Sequence, residues 1–161
     1  MALTAPCVIQ ADMIIGGLSA TSKRQAFRAI AERTALMFGG DSDSLLTALL
    51  ERERIGTTGI GGGVAIPHVK VPGVSRTYGV LVRMSTPLDY DAIDGEPVDI
   101  IFMLLAPAES KTTQHLKVLA QMSRFLKDSD MVTALRGTRD ESVIAGLVRS
   151  WVAAHAHQVA C

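Results

Sequence analysis

The stretch GTTGIGGGVAIPHVK, residues 56 to 70, divides the chain. Before it, apolar residues recur at helical spacing; after it, they run in strand-like blocks. Five glycines, two threonines and a Pro-His pair fall within its fifteen residues, so it has to be tested as a phosphate cradle. A P-loop needs GxxxxGK followed by Ser or Thr. Gly56 and Gly61 have that spacing, but Gly62 stands where the charge-bearing lysine belongs. The dinucleotide fingerprint fails as well. Gly59 and Gly61 supply GxG, Val64 replaces the third glycine, and the residues that follow read as strand rather than helix. Nucleotide binding is therefore not expected. The glycines suit a tight strand connection that needs positive φ angles, and they also let another protein's backbone approach. Pro67 removes a backbone donor and fixes the local direction, which presents His68 rigidly. A lone histidine in such a place is more often structural or merely exposed than functional.

Upstream, SATSKRQAFRAIAERTALMFGG carries a helical stripe through Ala26, Ile30, Thr34 and Met37, with Phe27 and Ala31 beside it. Thr21 or Ser22 can cap its start, and Gly39-Gly40 stops it. DSDSLLTALLERER repeats the design, with Asp41 or Ser42 as cap, Leu45, Leu46, Leu49 and Leu50 as stripe, and Gly56 at the end. Downstream, GVAIPH reads as a short strand broken by Pro67, and TYGVLVRM and VDIIFMLL as stronger strands. The second is apolar almost without interruption from Val98 to Leu105, which suits a strand buried on both faces. Between them Asp94-Gly95 is the clearest turn. Helical spacing returns in KTTQHLKVLAQMSRFLKD, in the short DSDMVTALRG and in TRDESVIAGLVRSWVAAHA, where Asp140 is a plausible cap. Helices, then strands, then helices imply an α/β (α+β) fold, with a central mixed sheet flanked by helices. The expectation is one domain over 1–161, its core from about 14 to 151, with a flexible C-terminal tail.

Composition narrows the function classes. The chain has 161 residues, 48% hydrophobic and 20% charged, with 16 basic and 16 acidic side chains. Zero net charge and 4% aromatic residues argue against a general nucleic-acid binder. No apolar run is long enough to span a bilayer, and the N-terminus lacks signal-peptide character, so a cytoplasmic location and no membrane insertion are expected. Cys7 and Cys161 have no metal spacing and are expected as free thiols. His155 and His157 form an HxH pair that reads as solvated tail. Asp89, Asp91, Asp94 and Asp99 read as turn and strand-edge residues, a carboxylate metal site being the alternative. His115 lies near a helix start, where a neutral imidazole is the physical expectation. Such a ring still donates one hydrogen bond.

Taken together, ERERIGTTGIGGGVAIPHVKVPGV, PLDYDAIDGEPVDIIFMLLAP, HLKVLAQMSRFLKD and the closing helix resemble, in that order, the phosphotransferase-system IIA proteins of the fructose–mannitol and nitrogen-regulatory superfamily. The likeness runs from about Ile14 to about Trp151, and DYDAIDGEPVDIIFMLLAP is especially similar to the nitrogen-regulatory type. Gly62 and Val69 depart from the residues common in the family. The resemblance implies that His68 is the phosphoacceptor, attacking through Nε2 and loaded by a phosphorylated HPr-like carrier. It implies that His115 orients His68 or hydrogen-bonds the phosphoryl group, and that Arg52 neutralises transferred charge. Thr57, Thr58 and Gly59 are then expected to line the phosphoryl pocket. No metal, nucleotide or other cofactor is implied. The role implied is regulation through phosphorylation-dependent protein binding, with potassium transporters or sensor kinases as targets. Two alternatives stand beside it: a sugar-specific IIA passing phosphate to a IIB cysteine, and a non-catalytic binding module.

Overall fold

The computed structural model describes residues 9–155. Cys7, Cys161 and His157 lie outside the described residues, and with them the free-thiol expectation and half of the HxH pair. In chain order the elements are β1 (Met13–Leu18), α1 (Lys23–Phe38), α2 (Ser42–Ile55), β2 (Gly59–Gly61), β3 (Val64–Ala65), β4 (His68–Val71), β5 (Tyr78–Leu88), β6 (Val98–Pro107), α3 (Thr112–Lys127), α4 (Ser129–Arg136) and α5 (Glu141–His155).

The helix boundaries follow from local chemistry. Ser22 caps α1 by accepting the Gln25 N–H, and Asp41 caps α2 by accepting from both the N–H and the hydroxyl of Ser44. Gly39 and Gly56 close the two helices. The strands form one open, mixed sheet in the order β1-β5-β6-β3-β2, with β4 also paired to β6. β1 runs parallel to β5, β5 antiparallel to β6, and both β3 and β4 parallel to β6.

β6 explains why its sequence is apolar on both parities. Ile101, Met103 and Leu105 face one core with Phe27 and Ile30 of α1 and Leu45 and Leu49 of α2. Ile100, Phe102 and Leu104 face a second core with Met122 and Phe125 of α3, Leu135 of α4, and Ile144 and Trp151 of α5. Helices thus cover both faces of the sheet.

Three details depart from the sequence reading. Met37, assigned to the buried stripe, is 63% exposed; Phe38 packs inward instead and stacks on Tyr78. β1 carries no strand signal because Gly16-Gly17 interrupts its alternation. A Cβ on Gly16 would meet the Arg139 carbonyl, and the Gly16 N–H donates to Glu141 at 3.1 Å, so the glycine lets the approach to α5 pass close by. GVAIPH is two strands rather than one. The ladder continues across the break, because the Pro67 carbonyl accepts from Leu104 at 2.9 Å. His68 then sits opposite Leu104, on a four-residue strand that among the described residues pairs with β6 alone.

Candidate active site

Three of the side chains singled out in the sequence meet at this strand. His68 begins β4, Arg52 comes from the last turn of α2, and His115 from the first turns of α3. The His68 Nδ1 lies 2.8 Å from the Ile66 carbonyl. A carbonyl only accepts, so Nδ1 carries the proton and the neutral ring keeps its lone pair on Nε2. Arg52 Nε donates to that Nε2 at 3.4 Å, while its Nη1 donates to the Gly56 carbonyl at 2.9 Å. The guanidinium is thereby held between the histidine and the end of its own helix.

His115 faces His68 with ring centroids 5.6 Å apart and planes tilted by 56°. Its Nδ1 is buried without a hydrogen-bond partner. A buried orphan N–H is rarer than a buried orphan acceptor, which favours the proton on Nε2. Burial, the neighbouring His68 and the Lys70 ammonium lower the His115 pKa from 6.5 to about 4. Burial and Arg52 lower that of His68, against opposing contributions from the Ile66 carbonyl and Glu53. Both rings are therefore neutral near pH 7, so each keeps one ring N–H to donate and one nitrogen lone pair. Lys70, two residues along the strand from His68, donates to the Ser110 carbonyl at 3.0 Å and to Thr112 Oγ1 at 3.3 Å, tying β4 to the start of α3.

The expected pocket-lining residues behave differently from one another. Thr57 Oγ1 accepts from the Gly59 N–H at 3.1 Å and retains its own proton to donate. Thr58 is buried, its hydroxyl bonded to Glu53 and, at 2.7 Å, to the Tyr90 hydroxyl. The Gly59 N–H is taken by Thr57, and a Cβ on Gly59 would lie 2.8 Å from that of Ala92. Of this trio, only Thr57 has a hydroxyl hydrogen outside these bonds.

The glycine run Gly61–Gly63 is a separate feature. All three residues have positive φ (97°, 69° and 81°) and turn the β2–β3 hairpin. The hairpin tip is fastened: the Gly62 N–H donates to Asp94, and its carbonyl accepts from Arg136, which also grips Asp99. Val64 pairs with Ile100 and His68 with Leu104; that separation along β6 is about 13 Å. The glycine turn therefore lies along the sheet from His68 rather than beneath it. Gly62 alone in this run is open on its Cβ side.

Among the described residues, no three His, Cys, Asp or Glu side chains gather as a metal site requires. No helix among them is long and apolar enough to cross a membrane. His155 stacks on Trp151 and bonds its carbonyl at 2.8 Å. The residues that sequence reasoning did not single out individually are Lys70, Lys23, Glu53 and Tyr90. Period-two spacing from His68 was the available signal for Lys70.

Comparison with known proteins covers most of the chain. The family described as "Phosphoenolpyruvate-dependent sugar phosphotransferase system, EIIA 2" matches residues 8–150. A nitrogen regulatory protein of Bradyrhizobium diazoefficiens is 39% identical over 137 residues, covering 85% of this chain and 89% of that one. The crystal structure of nitrogen regulatory protein IIA-Ntr from Neisseria meningitidis superposes with a TM-score of 0.78 at 29% identity, covering 84% of this chain and 92% of that one. The fold also matches, at 19% identity and a TM-score of 0.72, a complex of enzyme IIAMTL and phosphorylated enzyme IIBMTL from Escherichia coli, over 88% and 97% of the two chains. The chain belongs to the EIIA 2 family of the phosphoenolpyruvate-dependent sugar phosphotransferase system, and within it to the nitrogen-regulatory type.

Proposed function

We propose that the protein accepts a phosphoryl group on His68 Nε2 from a phosphohistidine on a small HPr-like carrier, and signals through proteins that bind one phosphorylation state. The observation that carries this reading is the Nδ1–H···O=C bond to Ile66, which leaves the Nε2 lone pair beside Arg52. As the new N–P bond forms at His68, the carrier's N–P bond breaks and its imidazole leaves with the electron pair. The ring of phosphorylated His68 gains positive character, which the Ile66 carbonyl is placed to stabilise. The group in flight is metaphosphate-like, with charge spread over its oxygens, so catalysis is mainly alignment and charge stabilisation. Arg52 releases Nε2 and turns to those oxygens; His115 Nε2–H and the Thr57 hydroxyl are the further donors. Docking of the two proteins excludes water.

The product adds about −1.5 to −2 charges at one edge of the sheet. Regulatory targets such as potassium transporters or sensor kinases would read that change. A second reading, a sugar-type component handing the group to a IIB cysteine, draws on the IIAMTL–IIBMTL complex whose fold this chain shares. The deciding experiment supplies enzyme I, the carrier and phosphoenolpyruvate. Wild type is expected to gain acid-labile phosphate and His68→Ala none. His115→Ala should retain labelling at a rate lower by roughly a hundredfold to a thousandfold, the range for loss of one transition-state donor. Unlabelled wild type would overturn the proposal; normal labelling of His68→Ala would move the site. Onward transfer to a IIB cysteine would favour the second reading.

A further inference from the structure

Glu53 is a carboxylate that the transfer itself does not use. Its side chain is only 6% exposed, yet it is the meeting point of donors from separate elements. Oε2 accepts from Lys23 of α1 at 2.8 Å. Oε1 accepts from the Thr58 N–H at 3.0 Å and from the Thr58 hydroxyl, and the Tyr90 hydroxyl shares its one proton between Thr58 Oγ1 at 2.7 Å and Oε1 at 3.2 Å. Lys23 also lies 4.2 Å over the Tyr90 ring. A buried carboxylate is tolerated only when its lone pairs are this well occupied.

Its position relative to Arg52 gives this cluster a consequence. The two residues are adjacent on the last turn of α2 and grip the same piece of backbone from its two ends. Arg52 holds the Gly56 carbonyl, and Glu53 holds the Thr58 N–H. Residues 56 to 58 are thus clasped, and Arg52 Nε rests against His68 Nε2 only while its anchor at Gly56 stays in place. Without the Glu53 charge, Lys23 loses its counter-ion and Thr58 and Tyr90 lose a shared acceptor. The backbone after the helix slackens, and the guanidinium loses its reference point.

We propose that Glu53 is a positioning residue for phosphoryl transfer at His68, acting through Arg52 by fixing the turn that anchors its guanidinium. Tyr90 is the second member of the clasp, tying it to the loop between β5 and β6. The inference rests on His68 being the phosphoacceptor.

The test is a double-mutant cycle on single-turnover phosphoryl transfer from the phosphorylated carrier, run well below the melting temperature of every variant. Glu53→Gln keeps the size and removes the charge. It is expected to lower the maximal transfer rate about tenfold while leaving the half-saturating carrier concentration within about twofold, because alignment rather than docking is disturbed. In an Arg52→Gln background the same change should have almost no further effect. Such non-additivity is the mark of one residue acting through another, which a purely structural role would not produce. Tyr90→Phe removes one hydroxyl from the clasp and keeps the ring. It should give about a threefold loss that also vanishes in the Arg52→Gln background, and it carries the test if Glu53→Gln does not fold. Equal losses in both backgrounds, or a folded Glu53→Gln at the wild-type rate, would overturn the inference and leave the His68 assignment standing. Wild type that takes no label would overturn the assignment, and the inference with it.

Discussion

At the scale of single residues, the histidine pair makes stability depend on pH with a definite sign. An ordinary histidine gains its proton near 6.5, whereas burial, His68 and Lys70 hold His115 neutral down to about 4. Between those values the unfolded chain binds more protons than the folded one, so folding weakens as the pH falls. The contribution of His115 is whole above about 6.5 and is lost as the pH falls toward 4. His68, lowered chiefly by its burial, adds in the same direction. Urea midpoints measured at intervals through this window should fall less steeply for His115→Asn than for wild type. Parallel curves would mean that His115 titrates normally in the folded protein.

At the scale of elements, the helices are where local chemistry decides most. Asp41 caps α2 with its own carboxylate, so Asp41→Ala should lower the midpoint of denaturant unfolding, and Asp41→Asn, which can still cap, should lower it less. Gly16 is the opposite case, since its requirement is imposed from far away. The Glu141 partner of its N–H lies 125 positions along the chain, and a Cβ would meet the Arg139 carbonyl. Gly16→Ala should therefore destabilise by about 1–3 kcal/mol, the range of overpacking; an unchanged melting temperature would show that the loop before α5 yields freely. This contrast explains what could be read in the sequence. Caps, stripes and the continuous apolar run of β6 are local patterns, and they identified α1 to α5, β5 and β6. β1 and β2 are short and glycine-bearing, and their residues are strands because of what pairs and packs against them.

For the molecule as a whole, β6 contributes several side chains to each core, with β5 and β3 also feeding both. Phe102 is fully buried and meets Phe125 edge-on with centroids 5.6 Å apart. Phe102→Ala is expected to cost about 3–5 kcal/mol. If the two cores unfold as one unit, far- and near-ultraviolet circular dichroism should still report a single coincident transition in that variant; separated transitions would show that the cores melt independently. The candidate site was legible to the same unequal degree as the fold. Arg52, His68 and His115 stood out by their resemblance to a known pattern. The Glu53 cluster did not, because its donors Thr58, Lys23 and Tyr90 lie 5, 30 and 37 positions away and no sequence period connects them.

The strand that bears His68 lies at the seam between the two helical layers. Arg52 reaches it from α2, which packs on the first core, and His115 from α3, which packs on the second. One modification there would act on two surfaces at once. Backbone amide resonances should shift on phosphorylation both around Ile55–Thr57 and around Thr112–Leu116, on elements that share no helical layer. A reader protein could then sense the same covalent event from either side of the sheet, and two such proteins could interrogate a single phosphohistidine without competing for one binding face.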